Sequence, residues 1–169
     1  MAVGAAPGEI MVPRLDYRGD NNFGGMALGG DQGDAVEMIA IDNLLLPACH
    51  PMKVAVEGME KQVLEGARQT ISRFRPYLYV EDDRFDKHAE LIATLFGLEY
   101  RLWWHLPWLY NPGNFTGDPK NFFLELPPST LSACRENRHR RRLKAASRSR
   151  ARMNLIPRRA ELAHLVPSA

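Results

Sequence analysis

The feature that most constrains the fold is an amphipathic segment between two short apolar runs. Residues Met59–Phe74 repeat apolar side chains at helical spacing, so one stripe can pack on a sheet while the other side faces water. Lys53–Val56 before it and Tyr77–Val80 after it are short apolar runs typical of buried strands. Arg75–Pro76 ends the helix, because the residue before proline avoids helical angles. The pattern predicts a strand–helix–strand unit.

The alternation continues toward the C-terminus. A second helix is predicted from the apolar residues of Ala89–Phe96, with Asp83 or Asp86 as its cap and Gly97 at its end. Glu99–Trp104 is the next predicted strand. Strands that alternate with helices of this length favour an α/β fold with a mostly parallel sheet.

A closing strand is predicted at Asn121–Leu126, and it can pair antiparallel at an edge of a mixed sheet. On the N-terminal side, Val36–Ile41 is a candidate strand, and Asp42 can cap a short helical turn over residues 43–46. Residues 1–35 are rich in glycine and are interpreted as a loop-rich segment with a short extended piece near Ile10–Leu15.

The charge of the chain is divided between an acidic body and a basic tail. Residues 1–132 contain 11 basic and 18 acidic residues, whereas residues 133–169 contain 11 basic and 2 acidic ones. The tail, whose predicted bounds are residues 131–169, is predicted to be disordered. It could bind nucleic acid through phosphate contacts, but the basic run has no aromatic partner for bases, so a solvated extension is favoured. The run comprises Arg138, Arg140, Arg141, Arg142, Lys144, Arg148, Arg150 and Arg152.

Composition excludes several classes of protein. Two cysteines, Cys49 and Cys134, do not make a disulfide framework and indicate a reducing, cytoplasmic compartment. No apolar run has the roughly 18 residues of a membrane span. The sequence contains no zinc-protease, phosphate-loop or serine-hydrolase motif, and no metal site is predicted.

Two predicted strands end in a carboxylate. Glu57 follows Lys53–Val56, and Glu81 follows Tyr77–Val80. Ligands of open α/β sheets bind outside the carboxyl ends of the strands, so Glu57 and Glu81 are the candidate catalytic residues. Such a carboxylate can accept a proton from a substrate hydroxyl or hold that hydroxyl in place. The alternative is that both glutamates only stabilise the N-termini of the following helices.

The segment after the third predicted strand is dense in aromatic and amide side chains. Trp104, His105, Tyr110 and Asn114 are the candidate substrate-binding residues, because aromatic groups with a polar end suit half-wet pockets. The alternative is a loop held in place by its own aromatic residues.

One stretch resembles a known family. Val54–Ala67, VAVEGMEKQVLEGA, is similar to a signature of the FkbM family of methyltransferases, which has a D-V-E-G core followed by an acidic residue and a V-L-x-G-A helix. Arg75–Arg84, RPYLYVEDDR, resembles the R-P strand of the family, which carries a glutamate. The similarity covers about residues 12–126 and includes Asn22–Gly25, Ile41–Asp42, Gly97, Tyr100 and Trp104–His105.

The resemblance implies a partial Rossmann-like methyltransferase sheet, formed by the fourth to seventh strands of that fold. It implies transfer of a methyl group from S-adenosylmethionine to a hydroxyl of a sugar or natural product. It also implies that Glu57 and Glu81 lie side by side, because the two strands that carry them are neighbours in the family.

The sequence departs from the family in two ways. Ala55 stands where the signature has aspartate. The family's glycine-rich first strand and the acidic end of its second strand precede the matched region, and no room for them is found here. The sequence therefore predicts a truncated domain, so the residues that bind S-adenosylmethionine remain unassigned.

Two alternatives follow from these departures. The chain could be a non-catalytic remnant or subunit of such an enzyme, or a nucleic-acid-associating protein that acts through its tail. The half sheet would leave an exposed edge that could pair with a second copy or with a partner chain. The expected small partner is a sugar or another small-molecule acceptor.

Overall fold

The computed structural model describes residues 1–20, 25–106, 110–121, 130–134 and 152–156. The N-terminal part forms a three-stranded sheet from β1 (Ala2–Val3), β2 (Gly8–Val12) and β3 (Asp34–Ile39). The strand β3 lies in the middle, parallel to β1 and antiparallel to β2. Residues 1–35 thus contain two complete strands and the start of a third, rather than loops alone.

The second sheet has five strands, namely β4 (Pro51–Val54), β5 (Tyr77–Glu81), β6 (Arg101–Leu106), β7 (Thr130–Cys134) and β8 (Arg152–Ile156). Their spatial order is β4-β5-β7-β6-β8. The strands β4 and β5 are parallel, and β6 runs in the same direction because β5 and β6 are both antiparallel to β7. The edge strand β8 is antiparallel to β6. The alternating order of strands and helices therefore gives a mixed α/β fold, as predicted.

Three helices link the parallel strands in the described part of the chain. These are α1 (Glu60–Glu65) and α2 (Arg68–Phe74) between β4 and β5, and α3 (His88–Gly97) between β5 and β6. All three helices pack on one face of the sheet, because their apolar side chains form a single core with alternate residues of the strands. The core comprises Val54, Val63, Leu64, Ala67, Ile71, Leu78, Val80, Leu91, Ile92, Leu95, Tyr100 and Leu102.

The prediction of one continuous helix over Met59–Phe74 is wrong, because the chain breaks at Gly66 and Ala67. The cause is the close approach of the N-terminal segment. A Cβ at Gly66 would overlap the carbonyl oxygen of Gly4 and would lie 3.2 Å from the Cα of Ala5. Gly66 therefore lets the first sheet pack directly on the α1–α2 junction.

The break at Gly66 is stabilised by Asp42. Its carboxylate accepts hydrogen bonds from the backbone N–H groups of Gln69 at 2.9 Å and Thr70 at 2.8 Å, in the first turn of α2. Asp42 was expected to cap the turn that follows it, but the 3-10 turn at Ile41–Leu44 has no such bond from Asp42. The carboxylate caps a distant helix instead.

Arg75 closes the other end of α2. It has a positive φ of 48° and donates to the carbonyl oxygens of Leu98 at 2.8 Å and Glu99 at 3.2 Å. Its guanidinium lies 4.5 Å from the ring centroid of Tyr100, whose hydroxyl donates to Pro76 at 2.8 Å. The Arg75–Pro76 pair therefore ends α2 and ties this end to the turn before β6.

Most element boundaries differ from the prediction by about two residues. The strand at Tyr77–Val80 and the helix over Ala89–Phe96 are confirmed, but α3 has no side-chain cap, so the expected capping by Asp83 or Asp86 is wrong. The predicted closing strand at Asn121–Leu126 lies outside the described residues except for Asn121.

The predicted disorder of the tail is wrong for its described residues. Arg152–Ile156 forms β8. Thr130–Cys134 forms β7, and most of this strand lies within the predicted bounds of the tail. The strand β7 is internal, between β5 and β6, rather than at an edge. The other basic residues of the tail lie outside the described residues.

Among the described residues, no helix has the length and apolar content to cross a membrane.

We predict opposite effects for alanine at two helix-associated glycines. Gly66→Ala should lower the free energy of unfolding by about 1–3 kcal/mol, because the added methyl group meets rigid backbone. Gly97→Ala should raise it by about 0.5–1 kcal/mol, because nothing lies within 4 Å of that position and alanine favours the helix. Urea denaturation of both variants tests this. A Gly66→Ala variant as stable as Gly97→Ala would contradict the close approach.

We predict that Asp42→Ala lowers the free energy of unfolding by about 1 kcal/mol at neutral pH. Although burial acts against it, hydrogen bonding from Thr70 and Gln69 lowers the pKa of Asp42. The stabilisation is therefore present above the ordinary carboxyl pKa of about 3.9 and is lost as the pH falls below it. Thermal melts should show a smaller difference from the unmodified protein at pH 3 than at pH 7. Asp31→Ala, at an exposed aspartate, is the control.

Candidate active site

The candidate site lies at the carboxyl ends of β4 and β5, where the chain turns toward the helices. The turn after β4 places Glu57 at φ 53° and Gly58 at φ 95°, both in the left-handed region. A glutamate rarely adopts this conformation, and such residues cluster at functional sites.

Glu60 holds this turn in place. Its Oε1 accepts hydrogen bonds from the backbone N–H groups of Val56 and Gly58, both at 3.1 Å, and the residue is only 4% exposed. On the other side, Lys87 Nζ donates to the carbonyl oxygen of Gly58 at 2.7 Å. The φ of 95° at Gly58 is one that other residues rarely adopt, so the turn requires glycine.

Glu57 is paired with a cation. Its Oε2 lies 2.8 Å from Arg84 Nη2, and the same guanidinium nitrogen donates to the carbonyl oxygen of Gly25 at 3.2 Å. Arg84 comes from the segment after β5, so the ion pair joins the two strand ends. The bond to Gly25 also ties the site to the segment that precedes β3.

Glu81 differs from Glu57 because no described residue forms a hydrogen bond or ion pair with its carboxylate. Burial raises the pKa of Glu81, and the charges of Asp83 and Glu57 raise it further, whereas Lys53 lowers it. Because the charge of Glu57 contributes to the raised pKa of Glu81, the two carboxylates are close enough to interact, as expected from adjacent strands. Ionisation of Glu81 therefore lowers the stability of the folded protein, and such perturbed carboxyl groups are typical of functional sites.

A cleft of about 290 Å³, lined mainly by charged residues but not by Glu57 or Glu81, lies between the segments that follow β4 and β5. Its walls carry acidic and basic side chains in nearly equal number. In the described part of the chain, no group of three or more His, Cys, Asp or Glu residues could hold a metal ion. The cleft is lined by Gly58, Glu60, Lys61, Gln62, Asp82, Arg84, Asp86, Lys87, Glu90 and Leu91.

Asp82 and His88 are site residues that the sequence analysis missed. Asp82 is 6% exposed, lines the cleft and forms a short hydrogen bond through Oδ2 with His88 Nδ1. Burial raises the pKa of Asp82, whereas His88 lowers it. The imidazole stacks on Trp104 with ring centroids 5.5 Å apart and an interplanar angle of 10°. Strand alternation was the available signal, since it places Asp82 on the face opposite Glu81.

The predicted substrate-binding residues do not share one wall. Trp104 packs against the core and stacks on His88, on the face that the helices cover. His105 points to the other face, where its Nδ1 lies 2.7 Å from the Tyr79 hydroxyl. These two neighbours in β6 face opposite sides because side chains alternate along a strand.

Tyr110 and Asn114 belong to a loop held by its own hydrogen bonds. The Tyr110 hydroxyl and the Asn114 amide donate to the carbonyl oxygen of Asp118, at 3.0 Å and 2.7 Å. These contacts correspond to the alternative of a self-supported loop. The structure does not bring Tyr110 or Asn114 into the lining of the cleft between the strand ends.

The site thus consists of two glutamates at the ends of adjacent parallel strands of a mixed α/β sheet. Residues 21–102 match the family model described as the methyltransferase FkbM domain. This segment is therefore similar to the FkbM methyltransferase domain, in agreement with the resemblance found in the sequence. No curated protein matches the chain significantly. No solved structure does so either.

Methyltransferases generally use S-adenosylmethionine, and α/β sheets typically bind nucleotide cofactors at a glycine-rich turn between a strand and a helix. The glycines Gly29, Gly30 and Gly33 connect β2 and β3, which are antiparallel, and no helix follows them directly. A Cβ at Gly33 would overlap the carbonyl oxygen of Val12, so this glycine serves the packing of the hairpin. The described residues therefore do not form the strand–turn–helix cradle that binds a nucleotide cofactor.

We predict that Glu81→Gln raises the free energy of unfolding at pH 7. The folded-state pKa of Glu81 lies above its unfolded value, so ionisation of Glu81 destabilises the fold as the pH rises through that range. The gain should vanish below the ordinary glutamate pKa of about 4.3. Urea denaturation at pH 7 and pH 4 measures it.

Glu57→Gln is the matched control, because it removes a carboxylate that has a cationic partner and should not stabilise the protein at either pH. A Glu81→Gln variant that is less stable than the unmodified protein at pH 7 would contradict the unfavourable ionisation of Glu81.

Proposed function

We propose that the chain provides the acceptor side of an FkbM-type methyltransferase site, in a Rossmann-like domain that methylates a hydroxyl of a sugar or natural product with S-adenosylmethionine. In this proposal Glu81 accepts the proton of the acceptor hydroxyl. The observation that carries it is the contrast between Glu57, which is neutralised by Arg84, and Glu81, which has no such partner among the described residues.

The environment of Glu81 supports a role as general base. A base works best when its pKa lies near the operating pH, and burial together with the charges of Asp83 and Glu57 moves the pKa of Glu81 upward. Glu57 is then a positioning residue. Its ion pair fixes Arg84 across the two strand ends, and its charge contributes to the raised pKa of Glu81.

The cofactor enters this proposal only as the methyl donor of the family. The described residues give no cradle for it, so every role proposed here concerns the acceptor. The two competing functions are a non-catalytic subunit, which would bind no methyl donor, and nucleic-acid association through the basic tail. No observation on the described residues favours either over methyl transfer.

We predict that the full chain transfers label from S-adenosylmethionine with a radioactive methyl group to a panel of methyl glycosides. Glu81→Gln should lower the rate by about 10²–10⁴-fold, the usual contribution of a general base. Glu37→Gln, at an exposed glutamate of β3, should leave the rate unchanged.

Two outcomes would contradict the proposal. Unchanged turnover in Glu81→Gln would remove its role as a base. Absence of both label transfer and cofactor binding by calorimetry would favour the non-catalytic alternative.

A further inference from the structure

The segment between β5 and α3 carries two cations that reach back to the turn after β4. Arg84 Nη2 lies 2.8 Å from Glu57 Oε2. Lys87 Nζ donates to the carbonyl oxygen of Gly58 at 2.7 Å. The contacts that hold the turn after β4 therefore depend on the shape of the segment that follows β5.

A hydrogen bond between two side chains joins the ends of this segment. Asp82 is the first residue after β5, and His88 is the first residue of α3. Asp82 Oδ2 pairs with His88 Nδ1, and Nδ1 is the donor because an ionised carboxylate only accepts hydrogen bonds. A bond between the ends of a loop removes conformations in which they separate, so it restricts the backbone between them.

The Asp82–His88 pair is itself fixed to the sheet. The imidazole stacks on Trp104 of β6, with ring centroids 5.5 Å apart and an interplanar angle of 10°. The side chains of Asp82 and His88 are only 2% and 13% exposed. Because Trp104 packs against the hydrophobic core, the pair ties the segment after β5 to a rigid part of the protein.

The pair does more than stabilise the fold. Burial raises the pKa of Asp82, and the charges of Glu60 and Asp83 raise it further, whereas His88 lowers it. The folded-state pKa of Asp82 remains above its ordinary value, so ionised Asp82 lowers the stability of the folded protein. A buried carboxylate that weakens the fold indicates a role in function.

We propose that Asp82 and His88 are positioning residues of the active site. Their hydrogen bond fixes the segment between β5 and α3, and this segment keeps Arg84 against Glu57. The ion pair in turn sets the charge that acts on Glu81. The inference rests on the proposed function in taking Glu81 to be the base.

Two substitutions of His88 separate its hydrogen bond from its ring. His88→Phe keeps a ring beside Trp104 but has no donor, whereas His88→Asn keeps a donor near the position of Nδ1 but has no ring. His88→Phe should lower kcat for methyl transfer to the methyl glycosides by about tenfold to a hundredfold, because small displacements at a site cost this much. KM should change little, and His88→Asn should restore most of the rate.

Phe85→Ala is the control from the same segment, because its side chain is 72% exposed. It should change neither kcat nor KM.

A carbon-13 NMR titration of the Glu81 carboxyl group measures the same effect without turnover. Loss of the Asp82–His88 bond should release Arg84 from Glu57, so the charge of Glu57 is less compensated. The pKa of Glu81 should therefore move further upward in His88→Phe and stay near that of the unmodified protein in His88→Asn.

Asp82 without its donor could prevent His88→Phe from folding, since a buried charge without a partner is strongly destabilising. The double variant Asp82→Leu with His88→Phe, which removes both partners, then takes its place. An unchanged Glu81 titration in the variant without the pair overturns the inference, as do equal titrations of Glu81 in His88→Phe and His88→Asn. Absence of methyl transfer by the unmodified protein counts against the proposed function alone, because the Glu81 titration still decides the positioning role.

Discussion

The site depends on one buried carboxylate that organises a turn. By accepting hydrogen bonds from Val56 and Gly58, Glu60 forces the chain after β4 to reverse within two residues. That reversal puts Glu57 into the left-handed region and directs it toward Arg84. It also exposes the Gly58 carbonyl to Lys87. Without Glu60, the buried N–H of Gly58 and the partly buried N–H of Val56 would lack these partners, and a buried donor without a partner costs about 1–3 kcal/mol.

The same turn creates an uneven distribution of charge. Glu57, Glu60, Glu81, Asp82 and Asp83 converge at the ends of two strands. Some of these carboxylates are satisfied by Arg84, His88 or backbone N–H groups, and Glu81 is not satisfied by any described residue. The unfavourable energy of ionisation falls on Glu81 and on Asp82, because burial raises the pKa of both carboxyl groups. Sites that carry such destabilised groups match the usual relation between stability and function.

The sequence predicted the parts of this structure that follow from periodicity. The strand at Tyr77–Val80, the helix α3 and the proximity of Glu57 to Glu81 follow from apolar spacing and from the adjacency of parallel strands. The break at Gly66 could not be predicted, because its cause is Gly4, which lies about sixty residues earlier in the chain. The placement of β7 between β5 and β6 also depends on long-range pairing. The pairing of Asp82 with His88 depends on where the start of α3 lies relative to the end of β5, which apolar spacing does not specify.

Glu81 carries a raised pKa because it is partly buried near Asp83 and Glu57 and forms no ion pair with any described residue. A carbon-13 NMR titration of the side-chain carboxyl groups measures this directly in the folded protein. The account predicts that the Glu81 signal titrates above the ordinary glutamate value of about 4.3 and moves down in Glu57→Gln, where Arg84 loses its counter-ion. A Glu81 signal that titrates at or below the ordinary value, and does not respond to Glu57→Gln, would contradict it.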